Sequence, residues 1–558
     1  MHRRILFSLL AFSILFSISM AMPPYPDLLQ KIKSGQVAEP IFMSDPGYMA
    51  RMGIDQGRAE PLIRPGTRLT NFNFLAVMVG FSDQPGTFPP VFADSVVFGL
   101  TNLGIQGPPL RQFYLRASYG TLNIVTMNYP SSVGWRTAPN SRAYYTSQGG
   151  THSYGAGTYP HNSQALCEYV VSALDPVINF ANYDNDADGY VDGIIIIHAG
   201  KAAEVTGDTL DIWSHSWSIT PQVRDGVYIS NYCVVPEAFG PVGDFTTGVY
   251  CHEFGHVLGL PDLYDYGYDS YGLGGWSLMA AGSWNGRSPS GWGGYSPSFL
   301  DGWSRVFLGF AIPINVTTSI STAHFPSVED SAKVYRLWTN GTIGPEYYLA
   351  EFRGRTYTDT ALAGWGICIY HVDDAQTNND NQWWPGMPPA NHYHVAIEQA
   401  DNLFHLEHLV DFMDSEDLYP DFGYNNAFNG TSAPSSADYY GNPTQVSIDN
   451  IADPDQLHGT TAHLSVMISS GGCHYVDGDA NGSNTFTGLD ITYSVRFFKG
   501  GPAPAYTCEC PSGSGNFWYV AGDVNGSCSF TGLDITYMVR YFKGGPGPIP
   551  CPSCPPAR

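Results

Sequence analysis

The sequence predicts an α/β domain that passes into a β-rich region and ends in a small duplicated module of loops and helices. Three observations carry this. Fully apolar runs of strand length, such as Ile194, Ile195, Ile196 and Ile197, alternate with helical segments up to about residue 310. From residue 311 to 470 the regular segments are rich in β-branched and aromatic residues between turn signals. Residues 478–493 then recur as residues 522–537, and each copy runs on to Phe-Lys-Gly-Gly-Pro.

Taken in order, a basic start (His2, Arg3, Arg4), an apolar run over residues 5–18 and the small residues Ser19 and Ala21 describe a secretory signal peptide, residues 1–21. Residues 22–65 read as a polar, irregular propeptide or N-terminal arm with one helix-like stretch at 27–34. The catalytic-type domain spans 66–310: a buried strand at 74–81, a helix at 110–117, a strand at 194–197 and a helix at 246–260. Strands are expected at 333–338, 346–353, 366–372, 394–400 and 461–468 within the β-rich part, 311–470. This part is either a second domain or a completion of the first. The repeats occupy 474–546, and a Pro- and Cys-rich tail fills 547–558.

Twenty-five Lys and Arg stand against 50 Asp and Glu, a formal charge of -25 that disfavours nucleic acid and anionic membranes as partners. Much of that acidity can instead hold cations. The even count of 10 cysteines in an exported chain reads as disulfides, and Cys551-Pro-Ser-Cys554 as a structural bridge without catalytic role.

The chemistry concentrates at residues 252–262. His252 and His256 lie one helical turn apart and reach one zinc ion, and Glu253 between them is placed to take a proton from zinc-bound water and pass it to a leaving amine. Gly259 permits a sharp turn that swings Asp262 back as third ligand, which leaves the fourth position to water. The five-residue H-E-x-x-H core alone occurs by chance, whereas the longer pattern with Gly259 and Asp262 seldom does. The competing reading is a helix with two incidental histidines. Downstream, Met279 sits in a Gly-flanked turn, suited to lie beneath the ligands as a metzincin Met-turn does. Ala281 stands where metzincins often place a tyrosine, so this motif names no oxyanion stabiliser.

Asp184, Asp186, Asp188 and Asp192 are spaced as in a calcium loop, against the alternative of a solvated acidic turn. In the repeats, positions one, three, five, nine and twelve of a calcium loop are Asp479, Asn481, Ser483, Thr487 and Asp490, then Asp523, Asn525, Ser527, Thr531 and Asp534. All offer oxygen. A helix follows each loop.

The stretches HEFGHVLGLPDLYD, GGWSLMAAGSWNG, YDNDADGYVDGIIIIHAG, IWSH and LRQFYLRASYGTLNI resemble the immune inhibitor A family of secreted bacterial metallopeptidases. EYYLAEFRGR, GWGICIYHVDD and VAIEQAD are similar to it too, so the likeness covers about residues 70–470. It implies an α/β metzincin-like zinc peptidase catalytic domain made as a zymogen, with His252, His256 and Asp262 on zinc and Glu253 as base. The segment before residue 65 has no cysteine, so a cysteine switch is excluded there, and Asp45 and Asp55 are the acidic latency candidates. The tail resembles a type I dockerin, which implies calcium-dependent attachment to a cohesin-like partner. Two other readings compete with a peptidase. An inert calcium-dependent surface or binding protein has no physical need of Glu253, and a carbohydrate-active enzyme needs a carboxylate pair that cannot be singled out here.

Overall fold

The computed structural model describes residues 22–45, 47–54, 62, 71–101, 103, 107–148, 152–240, 244–287, 291, 293–420, 425–455, 457–466, 475–483, 485–501, 503–504, 508–509 and 517–551. The expected signal peptide, Asp55, Cys473, Cys510 and Cys554 lie outside them. Among the described residues no helix is long and apolar enough to cross a membrane.

The N-terminal arm is more ordered than its polar composition predicts. It forms helix α1 (Pro26–Lys33) and two shorter helices, Ile41–Ser44 and Tyr48–Met52. Met22, Leu28, Leu29, Phe42, Met49 and Ile54 are buried in the main hydrophobic core. Helices of four or five residues are too short to show a 3.6-residue period, so the apolar positions read as scattered.

Strands β1 (Leu75–Gly80), β2 (Arg136–Thr137), β3 (Ile194–Lys201), β4 (His215–Arg224) and β5 (Val227–Ala238) form one sheet in the order β2-β1-β3-β5-β4. The first four in that order run parallel and β4 pairs antiparallel with β5 at the edge. Central strand β3 is covered on both faces, which is why its isoleucines form an unbroken run instead of an alternation. Helices α2 (Leu110–Ala117), α3 (Ser163–Leu174) and α4 (Gly248–Leu258) complete the layer, with α3 against β4 and β5 and α4 against β5. Phe254 of α4 meets Phe74 and Tyr114 edge-on at 4.8 and 4.9 Å, so the helix is anchored from beneath.

In the β-rich part, β6 (Ile314–Asn315), β7 (Ile320–Phe325), β8 (Tyr335–Trp338), β9 (Glu346–Arg353), β10 (Gly366–Asp373), β11 (Val395–Ile397), β12 (Val446–Asp449) and β13 (Thr460–Val466) make two sheets, β11-β10-β9-β8-β6 and β12-β13-β7. Period-two alternation gives β9 and β10 two apolar faces. Tyr348, Ala350 and Phe352 join a smaller core with Phe325, Ile448 and Leu464, whereas Tyr347, Leu349, Tyr370 and Val372 join the main core with the α/β layer. One sheet therefore serves both cores.

In the tail, α5 (Gly488–Phe498) and α6 (Gly532–Phe542) pack together, and Phe497–Phe530 and Phe486–Tyr541 stack across the repeat axis. The cysteine expectation needs correcting. Cys167, Cys233, Cys251 and Cys368 form no disulfide and lie buried on core elements, where burial pushes Cys167, Cys251 and Cys368 above their usual range and they pack as small apolar residues. Cys551 is bridged to Cys528, across the second repeat.

Candidate active site

Helix α4 is fully buried from Gly248 to Leu258. It ends at Gly259, whose φ of 106° lies in the left-handed region, and the amides of Gly259 and Leu260 return to the carbonyls of His256 and Gly255. That reversal brings Asp262 back over the helix. His252 Nε2 and His256 Nε2 are 3.2 Å apart, and Asp262 Oδ1 lies 3.1 and 3.3 Å from them. Three ligands of a tetrahedral ion at zinc–nitrogen and zinc–oxygen distances stand about 3.3 Å from one another, so the donor set fits zinc in both chemistry and spacing.

Each imidazole is oriented from behind. Nδ1 of His252 donates to the Leu278 carbonyl and Nδ1 of His256 to the Leu260 carbonyl, each at 2.9 Å. With the proton on Nδ1, Nε2 presents its lone pair inward, as a metal requires. Burial holds His252 below its ordinary value, in the neutral form. Burial raises the Asp262 carboxyl, but the two facing histidines outweigh this and hold it below the usual carboxylate range. Glu253 follows His252 and is fully buried.

Met279 lies under the helix, where a Cβ on Gly255 would come 2.5 Å from its Sδ, so only glycine allows this approach. The loop around it is held by residues that sequence reasoning missed. Arg353 of β9 donates to the Trp276 carbonyl and forms an ion pair with Asp359, Asp417 accepts from the Trp276 indole at 2.7 Å, and Asp301 accepts from the Ser277 hydroxyl. Main-chain acceptors such as Leu278 and Leu260 leave no mark in a sequence. Asp417 is 141 positions from Trp276 and sits in an acidic run that gives no sign of it.

Near His256 a cavity of about 120 Å³ is lined by Gly53 of the arm with Ser216, Trp217 and Tyr232. Three indole N–H groups hold the arm: Trp213 donates to Met22, Trp284 to Pro23 and Trp217 to Met52, all to main-chain carbonyls. Asp45 is ion-paired with Arg51 at 2.5 Å, and both side chains are about half exposed.

Asp184, Asp186 and Asp188 cluster together, while Asp192 is buried and accepts from the Asn185 amide and side chain. In the repeats, Asp479 Oδ1 accepts from the amides of Gly482 and Ser483, and Asp523 Oδ1 from that of Ser527. Thr487 and Asp490, and Thr531 and Asp534, form reciprocal capping boxes on α5 and α6. Asn481 meets Asp490 through its amide, and Asn525 meets Asp534 through its side chain.

Residues 92–311 match the family described as Immune inhibitor A peptidase M6, catalytic domain. Immune inhibitor A of Bacillus thuringiensis subsp. alesti is 33% identical over 176 residues, 26% of this chain and 25% of that protein. Pre-pro-metalloprotease PrtV of Vibrio cholerae serotype O1, strain M66-2, is 30% identical over 256 residues, 37% of this chain and 27% of that protein. The chain spans about a quarter of the length of the curated relatives it matches. Over residues 92–311 the chain is thus similar to the peptidase M6 catalytic domain, a metallopeptidase domain, and the His252–Asp262 site lies within that span.

Proposed function

We propose that the chain is an exported zinc endopeptidase in which His252, His256 and Asp262 hold the metal and Glu253 is the general base. The observation that carries this reading is the convergence of two imidazole nitrogens and one carboxylate oxygen within 3.3 Å, at the spacing of zinc ligands. Zinc, when bound, supplies Lewis acidity toward the scissile carbonyl and lowers the pKa of water. The Glu253 carboxylate takes the proton of the attacking water and returns it to the leaving amine nitrogen. Met279 packs beneath the helix as the floor of a metzincin-like site.

Residues 22–65 act as the propeptide. In support, Gly53 lines the cavity beside His256 and the Leu62 amide donates to the Leu258 carbonyl of the zinc helix. The name of the Vibrio relative also describes that protein as made with pre- and pro-segments. Calcium is the ion for Asp184, Asp186, Asp188 and Asp192 and for the two tail loops, and the tail is a dockerin that attaches the enzyme to a cohesin-like partner. The duplicated loop-then-helix pattern supports this.

Casein cleavage by the chain freed of its arm, in calcium, tests the reading. Hydrolysis is expected to vanish on zinc chelation, return with zinc, and be absent in Glu253→Ala that still binds zinc. A zinc-loaded, arm-free protein that cleaves nothing would overturn it in favour of an inert binding protein.

A further inference from the structure

The loops of the β-rich part enclose an open cavity of about 390 Å³ that shares no lining residue with the zinc-type site. Its walls are aromatic and acidic: Trp383, Phe404, Tyr439 and Tyr440, with Glu398 and Asp438. Tyr439 lies flat between His371 and His392, at centroid distances of 4.2 and 3.6 Å, and Trp383 meets it edge-on at 5.1 Å. The Tyr439 hydroxyl and the Trp383 indole N–H are buried with no hydrogen-bond partner among the described residues. Tyr440 is 66% exposed, so its ring face is open to a ligand.

Carboxylates outnumber basic groups on the wall of this cavity. Between Arg355 and Arg496 the sequence holds nineteen Asp and Glu and no Lys or Arg. The one cationic side chain on the wall, His371, spends Nδ1 on Glu398 and Nε2 on Glu346, at 2.9 and 2.8 Å, and so has no N–H to offer an anion. Asp438 accepts from the amides of Tyr440 and Asn442, which fixes a carboxylate beside the aromatic rings. Ring faces backed by fixed carboxylates attract ammonium and guanidinium groups, and desolvation strengthens the attraction. Anionic ligands are repelled by the same arrangement.

We propose that this cavity is a binding site for a lysine or arginine side chain of an extended polypeptide, held over Trp383 and Tyr440 and paired with Glu398 and Asp438. The proposal deepens the peptidase reading, because the site would then retain basic segments of a substrate, but binding does not require hydrolysis.

The test uses the full chain carrying Glu253→Gln and a fluorescein-labelled hexalysine peptide, read by anisotropy. Saturable binding is expected, weakened about tenfold by Tyr440→Ala and by Glu398→Gln, and unaffected by Asp453→Asn, an exposed acid outside the cavity. Tyr440→Ala keeps the test sound if Glu398→Gln disturbs His371, since an exposed ring is removed without touching the core. Equal loss in Asp453→Asn, no loss in Tyr440→Ala, or equal binding of a Ser-Gly hexamer would overturn the proposal. So would displacement of hexalysine by a neutral hexasaccharide, which would assign the rings to sugar stacking. In the chain with native Glu253, Tyr440→Ala should raise KM for lysine-flanked peptides with kcat unchanged. Binding without any hydrolysis would leave this site standing and fail only the peptidase reading.

Discussion

The zinc-type site and the Asp184–Asp188 loop each gather three possible metal ligands, yet they are held together differently. At His252, His256 and Asp262 the ligand atoms are buried, and each imidazole is fixed by a carbonyl from beyond the helix. In the loop, Asp186 and Asp188 are exposed and the carboxylates accept from the loop's own amides, Asp188 and Gly189 donating to Asp184 and Tyr190 to Asp188. The Leu278 carbonyl, 26 positions from His252, and the Leu260 carbonyl, 4 positions from His256, help keep three ligands at 3.1 to 3.3 Å in a buried environment. Local support satisfies each carboxylate singly and asks little of the rest of the fold.

The sharpest way to break this contrast is to remove a buried ligand. His256→Ala should abolish bound zinc in metal analysis and bring casein cleavage to background, while the protein remains folded by circular dichroism. Retained stoichiometric zinc would mean that the geometry does not create the site.

Long-range support itself is tested at Arg353, a buried guanidinium that pairs with Asp359 and holds the Trp276 carbonyl. Arg353→Ala leaves a buried carboxylate without its partner and should cost about 3–5 kcal/mol in urea unfolding. Zinc affinity should fall with it, because the loop carrying Leu278 is released. Loss of stability with unchanged zinc affinity would detach the β-rich part from the site.

A third experiment sets one buried histidine against another. His252 is held neutral, whereas the bonds from His371 to Glu346 and Glu398 outweigh its burial and raise it to about 9. The folded value lies above the unfolded one near 6.5, so the contribution is complete below about pH 6.5 and is lost as pH climbs through about 9. It amounts to roughly 3 kcal/mol. Wild-type stability should decline more steeply over that window than that of His371→Gln, whose residual decline comes from buried Glu204, Glu329 and Glu407, raised to about 7, 8 and 8. A parallel decline in both would assign the pH dependence elsewhere.

The smallest effect is expected in the exposed loop. Asp186→Asn with Asp188→Asn should change stability in chelator by less than about 0.5 kcal/mol, and abolish any stabilisation gained on adding calcium. A larger loss in chelator would show that the loop, too, is supported from a distance.

What could be read in the sequence follows the same division. The strand of Ile194 to Ile197, the helix over Leu110–Ala117, the turn at Gly259 and the spacing of His252, His256 and Asp262 are local patterns, and local pattern is what a chain displays. The supports were hidden because they are main-chain carbonyls, or side chains such as Arg353 and Asp417 that meet the site only after β9 and the acidic run fold against it. In the arm the helix expected at 27–34 is present as Pro26–Lys33, whereas Ile41–Ser44 and Tyr48–Met52 are below the length at which a period emerges, and their buried residues went unread. The core cysteines were misjudged because compartment argues for disulfides, whereas Cys167, Cys233, Cys251 and Cys368 each found a buried place in the core.

The three indoles that grip the arm carry an optical consequence. Trp213, Trp217 and Trp284 are 1 to 4% exposed, with their N–H groups turned to Met22, Met52 and Pro23. Water reaching those rings would move their emission to longer wavelength and open them to quenching by iodide. A chain that sheds this segment therefore reports the event through its own fluorescence, without substrate or label, and the half-time of the spectral shift can be compared directly with the onset of proteolysis.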